Sequence, residues 1–305
     1  MKILLSYIHY PICSGRYVKD ALQRLGHDVK SVGYSTGDKI WGMKVSARHT
    51  HNADGQVTTG FPNWTPDIII VMESAWAYHH PIYADVPHVI YGMDNHVRDY
   101  RQAGINHYFL AHNAPSIMDM SADDVTWLPC GYDPIAFKPS PIPFEERAFD
   151  VALVGVMYDA RIELLNKMEE AGLTVARYTG LLYDEYASVY HNSRFALNVS
   201  AKNDLNQRIF ETAALGCIVL TDSVADLENI DYDGVQVMQY KTDKEAIGLV
   251  KTRSSSSSLA HHNGKFDLGW LDAHTWDKRA SVIIEWYQKT YPTKRKKGKS
   301  IETDA

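Results

Sequence analysis

The sequence has few cysteines and no long apolar run. Its 305 residues include three cysteines, Cys13, Cys130 and Cys217, and no two of them have the CxxC spacing of a thiolate metal site. An odd number of widely spaced cysteines also argues against a disulfide framework. No apolar stretch reaches the roughly 20 residues that a helix needs to span a bilayer. We therefore expect a cytoplasmic protein that has no integral membrane segment and no metal site built from thiolates.

The N-terminal run MKILLSYI has one lysine, and Ser6 and Tyr7 interrupt its apolar residues. Because no cleavage pattern of small residues follows, it predicts a first strand rather than a signal peptide.

Charge is distributed unevenly along the chain. The formal net charge is −6, from 31 Lys and Arg against 37 Asp and Glu. Residues 294–305 hold five basic and two acidic residues, which leaves 26 basic against 35 acidic residues in 1–293. This acidic body does not predict a broad surface for duplex DNA, although a local basic groove stays open as an alternative. We expect residues 294–305 to form a basic, flexible tail.

Segments typical of strands alternate with segments typical of helices, which predicts parallel sheets covered by helices on both faces. A length of 305 residues suits two such domains of about 150 residues each. Five prolines between Pro129 and Pro143 mark a plausible hinge. The predicted strands are Lys2–Ile8, Asp28–Gly33, Asp67–Met72, His88–Tyr91 and His107–Ala111 in the first sheet, and Asp150–Val154, Thr174–Tyr178, Phe195–Val199, Ile218–Thr221 and Val235–Met238 in the second.

The clearest signal for a ligand is NVSAKNDLNQRIFETAALGCIVLTD, residues 198–222. It predicts a strand, a polar turn, a helix, a glycine stop and another strand. Free N–H groups at the helix N-terminus and the Arg208 guanidinium suit a diphosphate. Glu211, one turn later, suits the two hydroxyls of a ribose. The alternative is an exposed ion pair between these two residues, worth a few tenths of a kcal/mol.

Other polar residues are predicted to join this site. Gly155 lets the backbone approach a ligand before the helix that carries Arg161, and Lys202 precedes the helix of Arg208. Asn206 is a candidate donor-side residue, with helix capping as the alternative. Ser14 and Gly15 are predicted to form a turn before the first helix, where a backbone N–H could contact the donor phosphate. On the acceptor side, Asp94 and His96 follow a predicted strand and are candidates for a general base.

Several motifs together resemble the CgeB-like (spore maturation protein-type) glycosyltransferases of the GT-B superfamily. They are MKILLSYI with LGHDV, TPDIIIVM, PHVIYGMD, WLPCGYDPIAFKP, FDVALVGVMYDARIELLNKMEEAGL, RIFETAALGCIVLTD and AHTWDKRASVII, in that order. The resemblance implies two facing Rossmann-like, doubly wound domains, with a nucleotide-sugar donor in the cleft between them. It carries Arg161, Arg208 and Glu211 over as donor-binding residues, and it favours Asp94 on the acceptor side.

Four divisions of the chain follow. Residues 1–138 are the predicted acceptor-side domain, and residues 139–280 are the predicted donor domain. Residues 281–293 form a helix that, by the resemblance, returns to the first domain, and residues 294–305 form the tail.

The predicted chemistry uses no metal or cofactor besides the donor, because arginines and helix N-termini supply the charge that a leaving diphosphate needs. Asp231 and Asp233 match the DxD pattern of metal-dependent glycosyltransferases, but the Gly234 that follows favours a turn. Asn203 stands where many retaining GT-B enzymes have a first glutamate, so the sugar cannot be read from the sequence.

The sequence leaves four alternative acceptors, namely a hydroxymethylated base of phage DNA, a glycan, a protein and a small metabolite. A nucleotide-sugar epimerase and a catalytically silent binding module are the alternative functions.

Overall fold

The computed structural model describes residues 1–10, 12–33, 39–40, 43–44, 54, 60–72, 83–113, 121, 123–200, 202–255 and 269–292. Residues 35–64 are rich in Gly, Thr, His and Asn and show no sustained period, which predicts an irregular insertion, and most of them lie outside the described residues. The tail 294–305 also lies outside them, as do Trp41, Trp76 and Tyr78, which are candidate stacking surfaces for a sugar or base. No helix in the described ranges has an apolar stretch long enough to cross a membrane.

The first sheet is parallel and has the strand order β2-β1-β5-β6-β7-β8. The five strands predicted from the sequence are confirmed, with ends that differ by one or two residues. The additional edge strand β8 was not predicted because it has three half-buried residues, too few for a period to show. The strands are β1 (Lys2–Ser6), β2 (Asp28–Val32), the short antiparallel pair β3 (Lys39–Ile40) and β4 (Met43–Lys44) outside the sheet, β5 (Ile68–Met72), β6 (His88–Gly92), β7 (His107–Leu110) and β8 (Val125–Trp127).

Helix α1 (Ser14–Arg24) covers one face of this sheet and ends before Gly26, whose φ of +82° stops the helix. The helix begins two residues earlier than we predicted, with Cys13 at the N-cap position. The prediction of a turn at Ser14 and Gly15 was therefore wrong. A Cβ on Gly15 would lie 2.4 Å from Cγ of Tyr7, so this glycine allows the helix to pack closely on the end of β1.

The second sheet is also parallel, and its strand order is β10-β9-β11-β12-β13. All five predicted strands are confirmed, and β13 begins two residues later than predicted. The elements are β9 (Phe149–Val154), α2 (Asp159–Glu170), β10 (Val175–Tyr178), α3 (Tyr183–His191), β11 (Ser193–Asn198), α4 (Gln207–Ala214), β12 (Ile218–Asp222), β13 (Val237–Tyr240) and α5 (Asp243–Ser255).

The chain then returns to the first domain through α6 (Gly269–Asp272) and α7 (Trp276–Thr290). Helix α7 begins at Trp276, five residues before the boundary predicted at residue 281, because the Thr275 hydroxyl accepts a bond from Lys278 N at 3.2 Å and caps it. It packs on α1, as the resemblance implied. Arg24 of α1 donates to both carboxylate oxygens of Asp277, at 2.9 and 2.7 Å.

The two crossings between the domains lie side by side. Tyr132 on the outgoing segment forms a β-bridge with Thr275 on the returning one. Arg279 donates to the carbonyls of Pro129 (2.7 Å), Cys130 (3.2 Å) and Ala273 (3.0 Å). Burial and the Arg279 charge lower the pKa of His274 to about 4, so its neutral Nδ1 accepts from Arg279 at 2.6 Å. Residues 274–279 (HTWDKR) therefore hold the two interdomain segments against each other.

Candidate functional site

A cavity of about 390 Å³ opens between the two domains. It lies at the carboxyl ends of β1, β9 and β11 and at the N-termini of α1, α3 and α4, where parallel sheets bind ligands. First-domain and linker residues that line it are Tyr10, Ile12, Ser14, Tyr17 and Phe137. Second-domain residues that line it include Gly155, Tyr158, Arg161, Leu182, Tyr183, Tyr186, Asp204, Asn206, Gln207, Arg208 and Glu211.

Glu211 lies in the wall of this cavity and is 8% exposed. Its carboxylate accepts one bond from the Tyr186 hydroxyl at 3.2 Å and one short bond from Nε2 of Gln207. Burial raises the pKa of Glu211, although these two donors and Arg208 act in the opposite direction. Because the carboxylate is buried and bonded elsewhere, the alternative of an exposed ion pair with Arg208 does not describe this site.

Arg208 is half-buried and donates from Nη1 to Oδ1 of Asn198 at 3.1 Å. Its guanidinium lies against Gly155, where an added Cβ would be 2.7 Å from Nη2. Gly155, which was expected to let the backbone approach a ligand, lines the cavity, and its missing side chain also makes room for this guanidinium. The glycine therefore positions a cation at the end of β9.

Arg161 is 5% exposed and lines the same cavity. It donates to the carbonyls of Val156 (2.7 Å) and Val199 (2.7 Å), and its guanidinium lies over the Tyr158 ring. Burial lowers the pKa of Arg161, and the neighbouring charge of Arg208 lowers it further. Two arginines thus share one wall of the cleft, and neither forms an ion pair with a carboxylate in the described residues.

The turn before α4 differs from the prediction in two respects. Asn206 occupies the N-cap position, but its side chain does not cap the helix and instead donates from Nδ2 to Oδ1 of Asn198 at 2.9 Å. The interpretation of the Asn206 side chain as a cap was therefore wrong, and its Oδ1 is a buried acceptor that has no partner among the described residues. Lys202 is exposed with a φ of +119° and is not part of the cavity wall, where Asp204 lies instead.

On the first-domain side, the Ser14 hydroxyl lies 3.1 Å from Oε1 of Gln207. This contact joins α1 directly to α4 across the cleft. Gly15 does not line the cavity, because its α-carbon faces Tyr7 inside the domain.

His96 lies outside the cavity wall but faces the second domain. Its ring packs edge-on against His112, with centroids 4.3 Å apart, and its Nδ1 is buried without a hydrogen-bond partner in the described part of the chain. Burial lowers the pKa of His96. Across the cleft, the charge of Asp204 raises this pKa and the charge of Lys202 lowers it. His112 in turn lies 3.6 Å from Oδ2 of Asp226, a residue of the second domain.

Asp94 is placed less favourably than His96. Its side chain is about half exposed and lies 4.0 Å from Nε of Arg98 on its own loop. Both residues follow the same strand and the resemblance favours Asp94, but the Asp94 side chain is the more accessible to solvent, whereas Nδ1 of His96 is buried.

Three residues of this region were not among the predicted site residues. Gln207 and Tyr186 contact Glu211, and Asp226 contacts the first domain through His112 and through Asn113 N at 3.1 Å. The position of Gln207, one helical turn before Glu211, could have revealed it. Asp226 lies in a short 3₁₀ helix, Ala225–Asn229, that carries no sequence signal.

The DxD pattern is explained by a turn. Oδ1 of Asp233 accepts from Val235 N at 2.8 Å, which is the expected Asx turn. Both aspartates line a second cavity beside the interdomain connection, away from Glu211, together with Trp127, Trp270 and His274. No group of three or more His, Cys, Asp or Glu side chains suited to a metal ion occurs within the described ranges.

Comparisons with known proteins agree with this architecture. Residues 142–285 match a family described as glycosyl transferase-like. The chain has no significant match among curated protein sequences. The whole chain resembles solved structures of GT-B glycosyltransferases. The chain has the GT-B fold.

Three of these structures illustrate the similarity. Anabaena HepE in complex with UDP-glucose has a TM-score of 0.65 at 10% identity, covering 95% of this chain and 100% of that one. An α-glucosyltransferase in complex with UDP and mismatched DNA has a TM-score of 0.61 at 12% identity, covering 94% and 99%. Sucrose-phosphate synthase from Thermosynechococcus elongatus has a TM-score of 0.58 at 13% identity, covering 95% and 99%. At these identities the similarity concerns the fold.

Proposed function

We propose that the protein is a glycosyltransferase that moves a sugar from a nucleotide-sugar donor to an acceptor hydroxyl. The observation that carries this proposal is the convergence of Arg208, Arg161 and Glu211 on one cavity between two facing domains. The glycosyl transferase-like match of residues 142–285 supports it, since all three residues lie in that segment.

The diphosphate of the donor would bind at the N-terminus of α4. Backbone N–H groups at that end carry partial positive charge, and Arg208 and Arg161 add two formal charges with no bonded carboxylate. Fixed positive charge stabilises the negative charge that develops on the leaving nucleoside diphosphate, which lowers the barrier to sugar transfer. Arg161 contributes mainly through its field, because its donors already bond backbone carbonyls.

The nucleoside would occupy the deeper, aromatic part of the cavity. Glu211 presents a buried carboxylate that can accept bonds from both ribose hydroxyls. The rings of Tyr10, Tyr183 and Tyr186 line the same cavity and offer faces for a base. In this proposal the diphosphate lies between the nucleoside and the first-domain residues after β6.

On the acceptor side, His96 is better placed than Asp94 to serve as a general base. Burial lowers the pKa of His96, which favours the neutral imidazole that a base requires, and its buried Nδ1 has no hydrogen-bond partner among the described residues. The Asp94 side chain is half exposed beside Arg98, and we assign it no direct part in proton transfer.

The proposed acceptor is a hydroxyl of a glycan, a protein or a modified base in DNA. A solved α-glucosyltransferase of the same fold binds DNA. A DNA-binding groove beside Asp94 would draw on five cations of the first domain, namely Lys39, Lys44, Arg48, Arg98 and Arg101. Lys39, Lys44 and Arg48 lie outside the residues whose side chains are described, and Arg101 pairs with Asp99. We also propose that the protein belongs to the CgeB-like subgroup.

A two-stage experiment tests the function. The protein is first screened by thermal shift against UDP-, ADP-, GDP- and TDP-sugars, because a ligand at 100 times its Kd stabilises by about 2.7 kcal/mol. Sugar transfer from the radiolabelled donor is then measured with hydroxymethylated DNA, plain DNA, oligosaccharides and protein acceptors. Absence of binding to every donor would refute the proposal. Release of free nucleotide with an altered sugar and no acceptor would identify an epimerase, and binding without turnover would identify a silent module.

A further inference from the structure

A chain of hydrogen bonds connects the first domain to the proposed ribose-binding carboxylate. Ser14 of α1 contacts Oε1 of Gln207 at 3.1 Å, and Nε2 of Gln207 donates to Glu211. Tyr186 of α3 donates to the second carboxylate oxygen at 3.2 Å. All four side chains line the cavity, and Ser14 comes from the opposite domain.

The chemistry of these groups fixes the direction of each bond. An ionised carboxylate accepts hydrogen bonds and cannot donate them, so the amide of Gln207 must turn its Nε2 toward Glu211. Its Oε1 then faces Ser14, and the hydroxyl must donate to it. Glu211 therefore sets the orientation of the Gln207 amide, and the bond from Ser14 of the first domain gives that amide a second partner in the same orientation.

Opening of the cleft would remove this constraint. When Ser14 moves away with α1, the Gln207 amide loses one of its two partners, and its side chain is freer to adopt rotamers in which Nε2 no longer reaches the carboxylate. Such rotamers leave Glu211 short of a donor in a buried position. The carboxylate is therefore better prepared to bind a ribose in the closed state than in the open state.

The geometry points to Gln207 as a positioning residue that couples nucleoside binding to closure of the two domains. This inference rests on the proposed function, because it takes the ligand of Glu211 to be the ribose of a nucleoside diphosphate. Since coupling is reciprocal, a nucleotide that binds Glu211 also favours the closed arrangement in which Ser14 meets Gln207.

The test is a double-mutant cycle across the cleft. Dissociation constants for UDP and UDP-glucose, or for the nucleoside diphosphate that the wild type binds best, are measured by calorimetry. The variants are Ser14→Ala, Gln207→Met and their combination. Ser281→Ala is the matched control, since this hydroxyl bonds within α7 to the Asp277 carbonyl and lies outside the cavity.

We expect each single variant to raise Kd five- to tenfold, and the double variant to be no worse than Gln207→Met, because both changes break one chain of bonds. Small-angle scattering should show a decrease in radius of gyration on nucleotide binding for the wild type and Ser281→Ala, and a smaller decrease for the variants. Thermal unfolding in the absence of ligand confirms that each variant is folded.

Additive effects of Ser14→Ala and Gln207→Met, or unchanged affinity in both, would overturn the coupling while leaving the proposed function intact. A wild-type protein that binds no nucleoside diphosphate would instead refute the proposed function. If Gln207→Met does not fold, Gln207→Asn replaces it, because the shorter amide keeps the polarity but cannot reach both partners. Wild-type affinity in that variant would equally overturn the coupling.

Discussion

The Arg208 guanidinium occupies the space that a side chain on Gly155 would need. A Cβ there would lie 2.7 Å from Nη2, and the φ of +155° is one that residues with a side chain rarely adopt. The end of β9 and the first turn of α4 are thus fitted to each other at the proposed diphosphate site.

Gly155→Ala should therefore weaken nucleotide-sugar binding as well as stability. We expect a loss of about 1–3 kcal/mol in the free energy of unfolding, from backbone strain and crowding. Gly172→Ala is the control, since Gly172 also has a positive φ (+86°) but no atom within 4 Å of an added Cβ. Chemical denaturation and calorimetry should show a loss of donor affinity for the first variant and not for the second.

Removal of the Arg208 charge should weaken donor binding without unfolding the protein. The loss of a charge-assisted bond to the diphosphate corresponds to about 1.5–3 kcal/mol, or roughly a 10- to 150-fold increase in Kd. Arg177→Ala serves as the control because Arg177 pairs with Glu169 outside the cavity. If Arg208→Ala binds the donor as tightly as the wild type, the diphosphate binds elsewhere.

Glu211→Gln should change the pH dependence of stability and should also weaken nucleotide binding. Burial raises the pKa of Glu211 in the folded protein above its ordinary value of 4.5, so the folded state binds the proton more tightly than the unfolded state. Wild-type stability relative to the glutamine variant should therefore decrease as pH rises above about 4.5, until the raised folded pKa is passed. Urea titrations between pH 4 and 8 measure this difference. The glutamine variant should also bind UDP or the preferred nucleotide more weakly, and equal pH profiles would contradict the prediction.

Turnover should persist in excess EDTA. Arg208, Arg161 and the N-terminus of α4 supply the positive charge that a divalent cation provides in metal-dependent transferases. Donor hydrolysis or transfer is measured before and after chelation. Full loss of activity, restored by Mn²⁺ or Mg²⁺ alone, would contradict the prediction and favour a metal site at Asp231 and Asp233.

Arg279→Ala should destabilise the whole protein. The guanidinium donates to the carbonyls of Pro129, Cys130 and Ala273, and its removal takes away the bonds to the buried Cys130 carbonyl, while the Pro129 carbonyl keeps only the bond from the Tyr91 hydroxyl. We expect a loss of roughly 3 kcal/mol or more in the free energy of unfolding. Lys278→Ala, an exposed change on the same helix, should have little effect in the same denaturation experiment.

Most of the fold was predictable from the sequence because its strands are long, buried apolar runs bounded by glycines and polar turns. The same signals located Arg208 and Glu211, since a strand, a turn and a helix N-terminus follow one another directly in the chain. Strand β8 escaped prediction because three residues do not define a period.

The errors at the site have a common physical cause. Gly15 and Asn206 were each interpreted from local conformation, as turn and cap residues. Their actual contacts are made with Tyr7 and Asn198, each eight positions earlier in the chain. Local sequence does not encode such partners. Gln207 was overlooked for a similar reason, because its partner Ser14 comes from the other domain.

The position of α7 has a consequence for synthesis of the chain. Trp276 is fully buried, with its ring centroid 6.2 Å from that of Tyr91 on β6, and α7 packs along α1 of the first domain. The N-terminal half therefore lacks part of its interior while the ribosome is still translating the second half. Its final compaction must wait until residues 276–290 have emerged, so the domain made first is the one completed last.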